Sequence, residues 1–354
     1  MVLLTMYSRE IQEDRPEPVE NGIPLQGTWT QAFEKVDLLS IHRPYSFPLP
    51  NGLKDLRIKE WESFTIQNER FYILARLCNF KFYHTAIVFF YDKETEERQV
   101  FSKLVPGYSW KMPGNLYNSS VESRSLGFFV RIHSWLDTKK IILELDIKKR
   151  GLRPSFTAHA SFNLSESDTT PVALSLLFAD RRNMYAFKAL SAVSADIFSG
   201  GRHFHLDSSE TTGLFSDFKG YFPYRMRSTW GTGMGFDSSN RRFGFSLAEN
   251  QARDQFLNNE NALWIDGALS PLPPVKITRS NGPESDWIIQ DMEGMVDLVF
   301  TPKDLRRDIR TFIFSRSEYD NPLGFFNGKL LNAEGEELPI KNVWGAVENL
   351  ILRV

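Results

Sequence analysis

Short runs of aromatic, β-branched and aliphatic residues follow one another along most of the chain, separated by polar turns. Between residues 60 and 105 these runs are Glu60–Ile66, Arg70–Asn79, His84–Asp92 and Gln99–Val105. A spacing of about 8–12 residues between strands is typical of antiparallel sandwiches and barrels. The 3.6-residue periodicity of an amphipathic helix is weak almost everywhere. The pattern therefore predicts an all-β protein with few, short helices.

The second half of the chain shows the same pattern of short apolar runs, such as Met226–Phe236 and Arg242–Ala248 on either side of a polar turn. So many antiparallel strands cannot lie in one open sheet without curling or splitting. Closure into barrels removes the exposed sheet edges. At roughly 150 residues per domain, the length suggests two domains. We expect an arm over residues 1–26, a first β-barrel-like domain over 27–200 and a second over 201–354.

Composition and charge narrow the classes of function. The chain has 29 Phe, 8 Trp and 11 Tyr, and this aromatic excess favours half-buried sheet surfaces. Its net charge of −2 offers no basic stripe for nucleic acid, and no apolar run approaches the roughly 20 residues of a membrane helix. The single cysteine, Cys78, lies in an apolar run typical of a core. We expect a cytoplasmic protein without an organic cofactor, and the oligomeric state stays open.

Several short motifs are distinctive, and they are spread over most of the chain. They are Asp217–Pro223, Thr229–Gly235, Asn259–Gly267 and Leu272–Val275, together with Lys59–Glu62, Tyr185–Lys188, Gly324–Gly328 and Trp344–Glu348. In these motifs the sequence resembles DUF2804, a bacterial family of unknown function. That family is distantly similar to the carotenoid hydratase, tocopherol cyclase and AttH group, whose members have two lipocalin-like barrels and in several cases act on terpenoid or polyketide-like ligands. The resemblance implies two consecutive lipocalin-like antiparallel barrels, or strongly curved sheets, and an apolar ligand. It assigns no role to any residue.

Acidic residues near aromatic ones are candidates for acid catalysis. On a strand, Glu260 and Trp264 point to the same face. Desolvation beside Trp264 would raise the pKa of the carboxyl and make it a general acid at neutral pH, which hydration or cyclisation of an alkene requires. The alternative is a structural ion pair of Glu260 with Arg225 or Arg227. The candidate catalytic acids are Glu260, Asp266 and Asp217.

An arginine inside an aromatic pocket would anchor a carboxylate or phosphate on an otherwise apolar ligand. Arg225 and Arg227 share one face of a predicted strand close to several aromatic residues, although the same spacing fits two solvent-facing arginines. The candidate ligand-binding residues are Arg225, Arg227, Tyr221, Tyr224, Trp230, Trp264, Asn261, Lys188, His203 and His205.

Two further patterns have a functional and a structural interpretation. His203 and His205, with Asp207, share one strand face and are ligand types that zinc or iron accepts. No further ligand is evident, so we expect no metal site. Gly231 and Gly233 alternate on a strand that is not followed by a helix, which argues against a phosphate loop. These glycines are better explained as space for neighbouring side chains or as a bend.

Two functions remain for a barrel pocket that holds an apolar, lipid- or terpenoid-like molecule. The first is an acid-catalysed hydratase, cyclase or isomerase, which needs an unpaired carboxylate of raised pKa in the largest cavity. The second is a carrier or storage protein, which needs an apolar cavity of roughly 300–1,000 Å³ with few polar groups.

Overall fold

The computed structural model describes residues 6–311 and 316–353, so the first five residues of the expected arm and Val354 lie outside the described residues. The described chain has one α-helix, α1 (Asn51–Arg57), and short 3₁₀ turns at Leu38–Ser40 and Leu136–Thr138. The strands up to residue 220 are β1 (Val19–Glu20), β2 (Ile23–Pro24), β3 (Gly27–Trp29), β4 (Lys59–Gln67), β5 (Phe71–Asn79), β6 (Tyr83–Asp92), β7 (Glu97–Pro106), β8 (Ser119–Ser125), β9 (Phe128–Trp135), β10 (Lys140–Ile147), β11 (Phe156–Asn163), β12 (Val172–Ala179), β13 (Arg182–Ser199), β14 (Arg202–Leu206) and β15 (Thr212–Gly220). The later strands are β16 (Arg225–Phe236), β17 (Arg242–Glu249), β18 (Ala262–Ile265), β19 (Ala268–Pro271), β20 (Lys276–Arg279), β21 (Trp287–Gln290), β22 (Val296–Thr311), β23 (Arg316–Leu331) and β24 (Glu337–Arg353).

Two large sheets contain nearly all of these strands. The first has 13 strands, ten of them in the order β7-β6-β5-β4-β15-β13-β11-β10-β9-β8. In addition, β12 and β14 pair with β13, and β3 pairs with β12. The second has nine strands in the order β19-β18-β17-β16-β24-β23-β22-β21-β20. Both sheets are antiparallel and curl round a core of their own. The prediction of an all-β chain made of two lipocalin-like curved sheets is confirmed.

Burial along individual strands shows how the two sheets meet. Residues of β9 alternate between buried and partly exposed, because one face lies on the first core and the other meets solvent. By contrast, β6 and β15 are buried over their whole length. Their second face is covered by the other sheet. Phe218 of β15 packs with Met226 of the second sheet in a third hydrophobic cluster, and Phe89 of β6 packs with Leu323 of the second sheet in a fourth. The described residues therefore form one core inside each curved sheet and two hydrophobic clusters between the sheets.

The chain passes from the first sheet to the second between Gly220 and Arg225. Both β14 and β15 pair with β13, so the first sheet continues beyond the expected boundary at residue 201. The N-terminal segment, in turn, contacts the second half of the chain. Arg9 is buried and donates from Nη1 to the backbone and side-chain oxygens of Asn259, each at 2.6 Å, and from Nη2 to the backbone oxygen of Asn261 at 3.1 Å. The expected arm thus packs on the second half of the chain.

The alternating glycines of β16 make room for the second core. A Cβ on Gly233 would lie 2.6 Å from Cζ of Phe245, and one on Gly231 would lie 3.0 Å from Cδ1 of Ile289. Core side chains therefore occupy the space that side chains on β16 would need, as the sequence interpretation expects. Among the described residues, no helix has the length and apolar character needed to cross a membrane.

Candidate ligand site between the two sheets

A cavity lies between the outer face of the first sheet and the facing side of the second. Together with open solvent at its mouth it forms a space of about 940 Å³, and the volume of the cavity itself is about 100 Å³. The second value is below the roughly 300–1,000 Å³ of sites for drug-sized ligands, so an occupant is small or extends through the mouth. The lining residues used below are Trp61, Ser63, Arg76, Lys188, Ser216, Phe218, Trp230, Asp308, Arg310, Tyr319 and Glu348.

A row of four polar side chains crosses the first sheet at the floor of this cavity. Lys188, Ser216, Ser63 and Arg76 are directly opposite one another on β13, β15, β4 and β5. Residues directly opposite across paired strands point to the same face of a sheet. Because neighbouring strands lie about 4.8 Å apart, the two cations at the ends of the row are separated by about 14 Å at their Cα atoms. Two serine hydroxyls lie between them.

Aromatic side chains form the wall beside this row. Phe218 and Trp61 are opposite each other on β15 and β4, two residues along from the serines. Their rings stack with centroids 5.0 Å apart and planes 23° apart. Trp230 of the second sheet meets both rings edge-on, with centroids at 6.3 Å. The cavity thus offers a flat apolar surface next to a narrow polar one.

Arg76 ends the polar row on one side, in an ion pair with Glu348 of the second sheet. Its nitrogens lie 2.6 Å and 2.8 Å from the two carboxylate oxygens, and Tyr319 donates its hydroxyl to the same carboxylate. Burial alone would raise the pKa of Glu348. The charge of Arg76 and the hydrogen bonds from Arg76 and Tyr319 outweigh it and lower that pKa. Glu348 is therefore an ionised acceptor.

Lys188 ends the row on the other side, in an ion pair with Glu260. Lys188 Nζ donates to Oε2 of Glu260 at 2.8 Å and to the hydroxyl of Ser246 at 2.9 Å. Glu260 also accepts from Trp230 Nε1 at 3.2 Å and from Asn250 at 2.7 Å. Burial lowers the pKa of Lys188, although the negative charge of Glu260 opposes this shift. The partner of Glu260 is thus Lys188, while Arg225 and Arg227 lie exposed.

These two ion pairs bear directly on acid catalysis. Each of these carboxylates joins a cation of the first sheet to an aromatic donor of the second. The other acid beside the cavity, Asp308, is paired with Arg310 at 2.7 Å. The acids with raised pKa values, Glu62 and Asp217, lie on the opposite face of β4 and β15, inside the first curved sheet. Burial and mutual repulsion raise the pKa of Glu62 to about 8. Among the described lining residues, none is an unpaired carboxylate of raised pKa.

The other residues singled out in the sequence lie away from the cavity. Trp264, Asn261 and Tyr221 are buried, and each donates a side-chain hydrogen bond to a backbone oxygen. Asp266 is exposed in the β18–β19 turn, where it accepts from the backbone nitrogen of Arg242. Tyr224 is also exposed. Of the sequence candidates, Lys188 and Trp230 line the cavity, and Glu260 lies directly behind both.

The two histidines lie on the outer surface of the first sheet. His203 and His205 are exposed, and each contacts the same oxygen of Asp196, at 2.9 Å and 3.1 Å. Asp196 is directly opposite His205 on β13. Within the described parts of the chain, no group of three or more His, Cys, Asp or Glu side chains is arranged to hold a metal ion.

The sequence did not predict most of the residues that line the cavity. Arg76 had a usable signal, because it is the one charged residue in Phe71–Asn79, and a charge in such a run is rarely buried unless it is paired. Glu348 and Trp61 fall inside motifs that carried the family resemblance, but without a role. Ser63 and Ser216 gave no signal, because their importance comes from strand register.

Solved structures of CghA share the fold. CghA, crystallised with Sch210972, is similar with a TM-score of 0.50 and 12% identity over 84% of this chain and 88% of CghA. A second structure of CghA has the same TM-score at 11% identity, covering 83% and 88%. Kievitone hydratase from Nectria haematococca gives a TM-score of 0.46 at 12% identity, with 83% of this chain and 88% of that chain covered.

At these identities the likeness concerns the fold alone. No curated protein matches the sequence. The family model DUF2804, a domain of unknown function, matches residues 8–353, and the chain therefore belongs to the DUF2804 family.

Proposed function

We propose that this protein binds a small, mostly apolar molecule with a polar oxygen group in the cavity between its sheets. The observation that carries the proposal is the pair of hydroxyls on Ser63 and Ser216. Both face the cavity, and neither has a side-chain hydrogen-bond partner among the described residues. The cations on either side of them are already paired. The serines are therefore available to a ligand that lies against Trp61 and Phe218.

The physical balance of the site supports binding. An apolar body on the aromatic wall gains about 25 cal/mol for each Å² removed from water. One or two hydrogen bonds to the serines would orient it at little cost, because small hydroxyls lose little side-chain entropy. A fold like that of CghA, which was crystallised with the compound Sch210972, is compatible with a small-molecule ligand.

A cavity-filling substitution tests the proposal. Ser216→Leu fills the floor of the cavity, whereas Ser120→Leu places the same side chain on an exposed strand position and is the matched control. We expect native mass spectrometry of protein purified from its own source to show a bound small molecule. Ser216→Leu should lose that mass and Ser120→Leu should keep it. A ligand-free wild type, or a ligand retained by Ser216→Leu, would contradict the proposal.

Proton transfer to the bound molecule is a second candidate function, and Lys188 is the observation that favours it. This lysine lines the cavity, burial lowers its pKa, and it is bonded to Glu260. Such a pair can move a proton to or from a ligand during an isomerisation, hydration or cyclisation. The test is incubation of the co-purified ligand with protein in D₂O. Deuterium in the ligand that Lys188→Met abolishes supports an enzyme, and no incorporation leaves a binding protein.

A further inference from the structure

The Arg76 end of the cavity carries more positive than negative charge. Arg76 is paired with Glu348, and Arg310 is paired with Asp308 at 2.7 Å. A third arginine, Arg306, lies 4.0 Å from the same Asp308 oxygen, which Arg310 already occupies more closely. Arginine stays protonated in proteins. Three cations therefore face two carboxylates, and the excess is one positive charge.

Hydrogen-bond donors are also left over at this end. Three buried nitrogens have no partner in the described structure, namely Arg76 Nε, Arg306 Nη1 and Asn321 Nδ2. Arg306 is 8% exposed and Asn321 is 5% exposed, and they are directly opposite each other on β22 and β23. A buried donor without an acceptor costs about 1–3 kcal/mol. What this region lacks is an acceptor.

The unpaired donors belong to one cluster. The guanidinium carbons of Arg76 and Arg306 lie 5.8 Å and 5.6 Å from the centre of the Tyr319 ring, so both arginines pack on that ring. Tyr319 and Arg310 line the cavity, as Arg76 does. The hydroxyl of Tyr319 is already donated to Glu348. Arg306 and Asn321 do not line the cavity, so a ligand at this end meets Arg76 and Arg310 directly, and Arg306 adds the surplus positive charge across the Tyr319 ring.

A neutral hydroxyl or carbonyl would leave that charge uncompensated. A carboxylate supplies two acceptor oxygens in a planar arrangement that matches a guanidinium group, and it carries a single negative charge. A phosphate would bring about −1.5 to −2 charges, more than the excess of one. Charge and donor geometry therefore both favour a carboxylate.

We infer that the ligand of this cavity is an apolar carboxylic acid whose carboxylate lies beside Arg76 and Arg310, close to the charge of Arg306, and whose apolar body follows the aromatic wall. This inference rests on the proposed binding function. It assigns to these arginines the anchoring role that the sequence suggested for Arg225 and Arg227.

Two probes that differ only at the polar end separate the inference from the proposed function. Cinnamate and cinnamyl alcohol share a planar apolar body, and only cinnamate carries a carboxylate. Isothermal titration calorimetry at pH 7.5 should show cinnamate binding at least tenfold tighter than the alcohol. Arg310→Met should remove most of that preference, because it should weaken the binding of cinnamate much more than the binding of the alcohol. Arg98→Met, at a more exposed arginine paired with Asp304, should change neither affinity.

Equal affinities for the two probes would overturn the carboxylate assignment and leave the proposed function standing. So would an Arg310→Met variant that alters thermal stability but keeps the preference for cinnamate, since the arginines would then serve only the fold. Binding of neither probe would count against the proposed function itself.

Discussion

Arg76 on β5 and Glu348 on β24 form a two-point ion pair that joins the two sheets. Their closest nitrogen–oxygen distance is 2.6 Å, and each side chain is 14% exposed. Lys188 and Glu260 make a corresponding contact at the other end of the polar row. Because each pair lies at one end of the cavity floor, the contacts that hold the sheets together also shape the candidate site.

Removing one partner of the Arg76–Glu348 ion pair should leave the other charge buried and unpaired. The double variant should therefore lose less stability than the two single variants together. We expect Arg76→Met or Glu348→Leu alone to lower the free energy of unfolding by about 3–5 kcal/mol, because the remaining charge stays buried and unpaired. Urea denaturation measures all three, and additive losses would contradict this account. The exposed pair of Arg15 and Glu20 is the control, with an expected effect of about 0–1 kcal/mol.

Stability should fall as the pH rises from about 5 to 8, with Glu62 as a main cause. In the folded protein, burial and the nearby Asp217 raise the pKa of Glu62 from 4.5 to about 8. Between those values the unfolded chain has released the proton while the folded chain still holds it, so rising pH favours unfolding. The stabilisation is complete below the unfolded pKa and is lost as the pH passes the folded one.

Glu62→Gln removes this titration and keeps the side-chain shape. It should flatten the dependence of the free energy of unfolding on pH, measured by urea denaturation from pH 5 to 9. The exposed Glu210→Gln is the control and should retain the wild-type slope. An unchanged slope in Glu62→Gln would show that this carboxyl is ionised in the folded protein.

Gly233→Val should destabilise the second sheet. The new Cβ would lie 2.6 Å from Phe245 and 3.2 Å from Phe326, and overpacking of this kind typically costs about 1–3 kcal/mol. Gly235→Val is a matched control two residues along the same strand, because its nearest neighbour, Phe243, is 4.0 Å away. Thermal unfolding should show a lower Tm for Gly233→Val only. Similar Tm values for both variants would mean that the core adjusts to the added methyl groups.

Arg9→Met should loosen the segment that presents Glu260. Arg9 donates three hydrogen bonds to Asn259 and Asn261, on either side of that carboxylate. Losing them should cost at least about 2 kcal/mol, since hydrogen bonds to buried charged groups contribute about 1.5–3 kcal/mol each. Hydrogen exchange should quicken around residues 259–263. The exposed Arg15→Met should leave exchange there unchanged, and unaltered exchange in Arg9→Met would show that the arm does not hold this segment.

Local pattern was enough to anticipate the architecture. The alternation along β9 reflects burial of one strand face, and the apolar run Ala86–Tyr91 within β6 reflects burial of both. The alternating glycines of β16 likewise indicate that large neighbouring side chains occupy the space beside that strand. Family membership also follows from residues 8–353 alone.

The site could not be predicted from the sequence pattern, because a pocket between two sheets depends on the strand register and on how the sheets pack together. Ser63, Ser216 and Arg76 align only because three strands pair without a shift. Glu348 meets Arg76 only because the second sheet packs on the outer face of the first. The sequence by itself determined which segments become strands and that these curve into two sheets. Tertiary structure alone decided which polar residues face the shared cavity, since a shift of one residue turns every side chain of a strand to the other face.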